Sequence, residues 1–215
     1  YHAMHNSFSY IACDPVASIT IDRGRVTESY PDGSQNAYEL PDKKEAVKAL
    51  QAFSARFEHH NLNQGFISNG LFGHITYDAV QYFEDITLQE KAPENDIPDI
   101  QYRVYRYVIA VNHFKNELHL FEHTYTPEGQ VPVPLQDGLE TLEFFVKNPK
   151  RSTSVFKITG EEQTNIPDQR MREIIQQCIR HCLRGDVFQI VPSRRYTRSF
   201  TGDDFNVYRA LRSIN

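Results

Sequence analysis

The sequence predicts an α+β fold, largely antiparallel β-sheets with flanking helices, and three observations carry that prediction. Short alternating or β-branched runs separated by compact turn signals open the chain and return over 100–124. Separate stretches, 43–60 and 134–147 first among them, switch to helical period. The composition is globular: 215 residues, 40% hydrophobic and 24% charged, with 14 Phe and 12 Tyr to supply core area.

Taken in order, Ser7 to Ala12 and Ala17 to Asp22 are strands, and Arg23-Gly24 is a hairpin loop leading into a strand from Arg25 to Tyr30. Pro31-Asp32-Gly33 is a turn, with Pro setting its own φ and Gly taking a positive one. From Lys43 to His60, the residues Ala46, Val47, Leu50, Phe53 and Phe57 share one helical face. Gly65 to Tyr77 returns to strand character, bent at Gly70 and Gly73. Ile100 to Ala110 and Glu117 to Thr124 make a long hairpin, and Pro134 to Lys147 is a helix.

Residues 1–150 thus read as one α+β domain, 151–164 as a linker or crossover and 165–215 as the beginning of a second domain. There, Pro167 is placed as a first helical residue, Asp168 sits in the positive end, and Gly185 closes the helix. Asp186 opens a β-run to Val191 that resumes from Ser193 to Phe200, and Thr201 to Asp204 caps a last helix. The chain starts on Tyr1 and stops at Asn215 within a helix-like pattern, so it reads as part of a longer protein.

Composition narrows the class of function. No run approaches the roughly 20 apolar residues of a membrane span, so a soluble protein is expected. Cys13, Cys178 and Cys182 are sparse and odd in number, which points to a reducing compartment, the cytoplasm. The net charge of −5 hides an asymmetry: residues 1–149 carry −10 and residues 150–215 carry +5. The basic end suits an anionic small molecule, an acidic partner or nucleic acid.

No cluster declares an active site. Cys178, His181 and Cys182 stand at metal-ligand spacing on a helix, but Cys178 and Cys182 continue the apolar stripe of Ile174 and Ile175, and no fourth ligand is near in sequence. Arg194, Arg195 and Arg198 around Tyr196 suit nucleic acid only weakly, and pairing with carboxylates of the first domain is the simpler reading. His59-His60 suits a helix C-terminus, while His2, His5, His113, His119 and His123 show no ligand spacing. Glu84-Asp85 and Asp96/Asp99 read as solvated loops.

Three blocks change the odds. Gly185-Asp-Val-Phe-Gln-Ile-Val-Pro-Ser-Arg-Arg-Tyr196, Asn6-Ser-Phe-Ser-Tyr-Ile-Ala-Cys-Asp-Pro15, and Gly70-Leu-Phe-Gly-His-Ile-Thr-Tyr-Asp78 with Tyr82-Phe-Glu84 stand in the order and spacing of one family. The chain resembles component I of anthranilate synthase, its large, chorismate-binding subunit. Where aminodeoxychorismate synthase typically has Asn-Leu-Ser-Gln, this chain has Val191-Pro-Ser-Arg194. His74, Gln81 and Ala12 depart from the family's usual residues.

The resemblance implies a two-sheet sandwich in the complete protein, of which this chain would be a truncated part. It implies conversion of chorismate and ammonia to anthranilate and pyruvate, with Mg²⁺ as cofactor and a glutamine amidotransferase subunit as partner. It also implies feedback inhibition by tryptophan, at a site whose retained part here is Ser7, Phe8 and Ser9. The metal-binding glutamates and the catalytic histidine would lie beyond Asn215, leaving Gln189, Ser193, Arg194 and Arg195 as structural support. A non-enzymatic module that senses an amino acid is the alternative from another class.

Overall fold

One strand sets the frame. A computed structural model describes residues 7–57, 65–89, 96–126, 138–149 and 154–214. In it the two strands expected at 7–12 and 17–22 are a single strand, β1, Phe8–Asp22. It lies antiparallel to β5, Ile100–Asn112. Cys13 faces Tyr107 and Pro15 faces Tyr105, but Ala17 faces Val104, so β1 holds one residue more than its partner at that point. This β-bulge follows Asp14, whose φ is +60°.

The extra residue changes which parity of β1 points to the core. On β5 the buried positions Ile100, Val104, Val108, Ala110 and Asn112 share the even parity, and Ile109, on the opposite face, is buried as well. After the bulge, odd residues of β1 share that face, and Ala17, Ile19 and Ile21 are buried; before it, even residues do, Phe8, Tyr10 and Ala12. A continuous period of two would have turned one end of the strand inside out.

The sheet is completed by β2, Arg25–Ser29, and β3, Gln35–Glu39, beyond β1, and by β4, Phe72–Ile75, beyond β5, in the order β3-β2-β1-β5-β4. A further strand, β6, Glu117–Glu122, pairs with the 107–112 half of β5, on the edge whose other half, 100–103, is taken by β4. The Arg23-Gly24 turn has φ of +51° and +83°, the two positive angles of a type I′ hairpin.

Helix α1, Ala46–Ser54, buries Ala46, Ala49 and Phe53 against this sheet, together with Ile19, Ile21, Val26 and Ile100. It is shorter than expected, preceded by a 3₁₀ turn at Lys43–Glu45, and 58–60 lie outside the described residues. Only Phe72–Ile75 of the stretch from Gly65 to Tyr77 is strand, and Tyr77–Tyr82 is a 3₁₀ turn. The glycines at 65, 70 and 73 supply no side chain to hold a longer strand.

Polar groups are buried in this core with their partners. Glu28 is only 5% exposed, and accepts from Tyr30 Oη at 2.6 Å, Asn36 Nδ2 at 3.3 Å and Tyr38 Oη at 3.3 Å. Asp99, expected in a solvated loop, is buried instead. Its Oδ2 accepts from Tyr82 Oη at 2.9 Å and from the Arg23 amide at 3.1 Å, and Tyr82 Oη accepts from the Gly24 amide at 3.0 Å. The carboxylate therefore ties the β1–β2 turn to the 3₁₀ turn, and burial pushes the Tyr82 hydroxyl pKa up.

Helix α2, Gly138–Lys147, runs beside β6; 134–137 lie outside the described residues. A Cβ at Gly138 would come within 2.3 Å of both Glu122 Oε1 and Tyr107 Oη, so the tips of those side chains would have to shift to admit a larger residue where the helix starts. Glu122 there is held by Arg106, whose Nη2 and Nε donate at 2.8 and 3.1 Å.

The residues divide into two compact units, 1–148 and 149–215. In the second, the stretch expected as linker contains a strand, β7, Lys157–Thr164, paired antiparallel with β8, Tyr196–Thr201. Helix α3, Asp168–Arg184, has Pro167 as N-cap with extended backbone, not as its first helical residue, and ends on Gly185 at φ +79°. The β-run expected from Asp186 to Val191 forms no strand, and α4, Phe205–Ile214, follows the 201–204 turn.

Two substitutions test this packing. Phe53→Ala should lower stability by about 3–5 kcal/mol in urea unfolding, whereas Val47→Ala, at a position expected on the buried face but found exposed, should change it by less than about 0.5 kcal/mol. At Gly73 a Cβ would meet Gln101 O at 1.8 Å. Gly73→Ala should therefore part β4 from β5, read as faster hydrogen exchange of the Phe72–Ile75 amides.

Candidate functional site

Two regions carry the residues singled out by the sequence. The first is the start of β1. Phe8 lies on the core-facing parity with Tyr10, its ring stacked on Phe66 at 4.9 Å between centroids. Phe66 in turn meets His119 at 4.8 Å and Phe121 at 6.0 Å, and Tyr10 Oη accepts from the Ile67 amide at 3.3 Å. Phe8 is thus part of an aromatic cluster that joins β1, β6 and the segment at 66–67. Ser9 is on the opposite face, exposed, with Oγ 2.7 Å from His113 Nε2, and Ser7 O accepts from the His113 amide at 2.9 Å. One histidine at the β5–β6 turn therefore holds both serine positions.

The three departures sit in the same unit. Ala12 is paired with Val108 in the ladder. His74, exposed on β4, has Nε2 3.3 Å from Pro98 O. Gln81 is used locally: Oε1 accepts from Lys43 Nζ and the Leu88 amide, both at 3.3 Å, and Nε2 donates to Asp78 O at 3.2 Å.

The second region is 185–196. Helix α3 ends where Gly185 takes the left-handed conformation that glycine adopts without strain. Asp186 turns back on that end: Arg184 Nη2 and Nε donate to its Oδ2 at 2.6 and 3.2 Å, and His181 Nδ1 is 2.8 Å away. These bonds, from His181 first, hold the Asp186 carboxyl below its ordinary pKa. At the far end Arg194 Nη1 meets Asp168 Oδ1 in the first turn of α3, donates to Ile166 O at 3.3 Å, and its guanidinium lies 4.6 Å over the Tyr196 ring. Arg195 is fixed by its backbone, whose N–H donates to Asn165 Oδ1 at 2.9 Å and whose carbonyl accepts from the Asn165 amide at 3.3 Å.

These contacts correct two expectations. The arginines pair with carboxylates of their own unit, Arg194 with Asp168 and Arg198 with Glu162 at 3.7 Å, rather than with the first domain. The β-run expected from Asp186 to Val191 and again from Ser193 does not carry Gln189, Ser193, Arg194 or Arg195, because strand begins only at Tyr196. Gln189 and Ser193 are exposed, and Arg194 is half-buried. His181 is engaged by Asp186, and no group of three or more His, Cys, Asp or Glu that could hold a metal occurs among the described residues. His2, His5, His59 and His60 lie outside the described residues.

The sequence reading missed Asn165 as a partner and saw Asp168 only as a helix-dipole residue. Neither bond was legible, since each joins positions 26 or more apart. Pro167 and the acidic first turn were the available signal that this helix start is fixed.

The first unit is a curled antiparallel sheet with helices beside it, and the second pairs β7 with β8 on either side of helix α3, carries a Gly-Asp-Val-Phe-Gln-Ile-Val-Pro-Ser-Arg-Arg segment and ends in α4, so both units are of α+β class. The sequence matches the chorismate binding enzyme family over residues 1–215, and the chain belongs to that family. It is 32% identical over 158 residues to anthranilate synthase component 1 of Acinetobacter calcoaceticus, covering 69% of this chain and 30% of that one. Against anthranilate synthase alpha subunit 2, chloroplastic, of Arabidopsis thaliana it is 30% identical over 162 residues, 68% of this chain and 26% of the relative. The fold matches the crystal structure of anthranilate synthase component I from Streptococcus pneumoniae TIGR4 with a TM-score of 0.67 at 21% identity, over 100% of this chain and 47% of that one. The chain thus spans under a third of these two curated relatives and about half of the solved chain.

The Arg194 bond also lowers the Asp168 pKa from its ordinary 3.8. A lowered folded value means the pairing stabilises fully above pH 3.8 and is lost as pH falls through the folded value. A ¹³C titration should place the Asp168 midpoint below 3.8 and return it towards 3.8 in Arg194→Ala. An unmoved midpoint would show that the pair does not form in solution.

Proposed function

We propose that this chain is part of an anthranilate synthase component I, which converts chorismate and ammonia to anthranilate, pyruvate and water. The observation that carries the reading is the family match along the whole chain, supported by relatives described as anthranilate synthase. The reaction replaces a ring hydroxyl by nitrogen and then eliminates the enolpyruvyl group as pyruvate, so its substrate is a dianion whose leaving groups need proton donors. The basic balance of residues 150–215 suits such a substrate.

In this reading the chain supplies the scaffold, and Gln189, Ser193, Arg194 and Arg195 support the site. Mg²⁺ and the acid–base residues belong to the remainder of the protein, and ammonia comes from a glutamine amidotransferase subunit. Three free cysteines, Cys13, Cys178 and Cys182, fit a reducing compartment, and we place the protein in the cytoplasm. No helix among the described residues is long and apolar enough to cross a membrane.

The complete protein, given chorismate, ammonium and Mg²⁺, should produce anthranilate fluorescence with equimolar pyruvate, and the 215-residue piece should produce none. A product other than anthranilate would contradict the reading. Tryptophan should inhibit the complete protein by binding beside the start of β1. Ser9→Leu removes the hydroxyl that meets His113 and crowds that face, so it should raise the tryptophan concentration needed for half-inhibition; an unchanged inhibition curve would put the inhibitor elsewhere.

A further inference from the structure

A single asparagine of the sequence is followed by glycine, Asn69-Gly70. The Gly70 amide donates to Asn69 Oδ1 at 2.8 Å. With a C=O bond of about 1.2 Å, that nitrogen lies about 3–4 Å from Asn69 Cγ, close to the separation of a near-attack conformer. Joining the two atoms closes a five-membered ring, and glycine brings no Cβ to obstruct the approach.

The side chain is held in this arrangement from its other end. Burial pushes the Tyr125 hydroxyl pKa up to about 12, and a hydrogen bond with the Asn69 side chain opposes that shift. A partner that lowers a phenol's pKa donates to its oxygen, so Asn69 Nδ2 is the atom that faces Tyr125. Tyr125 is itself fixed, its hydroxyl donating to Tyr105 O at 3.1 Å. Oδ1 and Cγ are thereby kept on the Gly70 side.

The main chain is anchored on both sides of the pair. Before it, Phe66 sits in the aromatic cluster with Phe8 and His119, the Ile67 amide donates to Tyr10 Oη at 3.3 Å, and His123 Nε2 lies 2.8 Å from Ser68 O. After it, Leu71 packs on the core and Phe72 opens β4, facing Arg103 of β5. Asn69-Gly70 is the joint between these anchors.

We propose that Asn69 is a site of spontaneous deamidation at which the protein ages, and that the change loosens β4 from β5. The Gly70 nitrogen gives up its proton to hydroxide and bonds to Asn69 Cγ; the Cγ–Nδ2 bond breaks, ammonia leaves and a succinimide joins the two residues. Water then opens the ring. Cleavage between nitrogen and Cγ leaves aspartate at position 69, and cleavage at the main-chain carbonyl leaves isoaspartate. One water enters for each ammonia lost, and nothing is oxidised. Isoaspartate carries the main chain through Cβ and Cγ, one atom longer than before, so the joint no longer matches the span between its anchors. Either product sets a carboxylate beside the Tyr125 hydroxyl.

The test uses the complete protein, kept folded in ¹⁸O-labelled water and mapped by peptide mass spectrometry over time. Position 69 should convert faster than every other asparagine, by about tenfold. The comparison includes Asn116, which stands exposed at positive φ in the β5–β6 turn but precedes Glu117. The product should carry ¹⁸O and accept a methyl group from an isoaspartate-specific methyltransferase. Asn69→Gln, whose ring would need six members, should abolish the conversion. In the aged form, separated on ion exchange by its added negative charge, the Phe72–Ile75 amides should exchange hydrogen faster than in fresh protein. Conversion at position 69 no faster than at Asn116, a product without isoaspartate, or unchanged exchange of the β4 amides in the aged form would overturn the proposal.

Discussion

The pairing of β1 with β5 through a one-residue bulge is the constraint on which the first unit depends. Fifteen residues of β1 lie against a β5 whose even parity carries the buried Ile100, Val104, Val108, Ala110 and Asn112. Without the extra residue near Pro15, either Ile19 and Ile21 or Phe8 and Tyr10 would face away from the core. With it, one end of β1 packs on α1 through Phe53 and the other enters the aromatic cluster of Phe66, His119 and Phe121. The position of Ser9 beside His113 follows from the same register, because only the parity left over from Phe8 can point that way.

The second unit is held differently. None of its described residues is buried, so a core of its own does not fix its segments. The β7–β8 ladder, the glycine that ends α3 and the charged contacts of Asp186 and Arg194 define the path instead. Large apolar side chains remain open there, Leu183 at 82% and Val191 at 75% exposed among them. A family match that includes this unit, on a chain spanning under a third of the two curated relatives described above, is in keeping with a surface built to be covered.

Much of the fold was legible, and the misses have physical reasons. The Arg23-Gly24 and Pro31-Asp32-Gly33 turns, the β5–β6 hairpin and the stop at Gly185 rest on local backbone chemistry, which a sequence displays directly. The bulge was hidden because two alternating runs of opposite parity look like two strands. Strand β7, Lys-Ile-Thr-Gly-Glu-Glu-Gln-Thr, looked like linker because both its faces are exposed and no apolar alternation marks it. Conversely, Val187-Phe-Gln-Ile-Val191 has strong β propensity but no partner strand among the described residues, and propensity without a ladder makes extended chain, not sheet. Asp99 looked solvated because its partners, Tyr82 and Arg23, are brought to it only by the tertiary fold.

The proposed activity of the complete protein is a chorismate reaction that places nitrogen ortho to the ring carboxylate. The most direct measurement is ¹H and ¹⁵N NMR of the product formed by the complete protein from chorismate and ¹⁵N-ammonium with Mg²⁺. The account predicts ¹⁵N-labelled anthranilate, with its ortho substitution pattern, and one pyruvate for each. A para-substituted aminobenzoate, an unaminated product such as isochorismate or salicylate, or unchanged chorismate would contradict it.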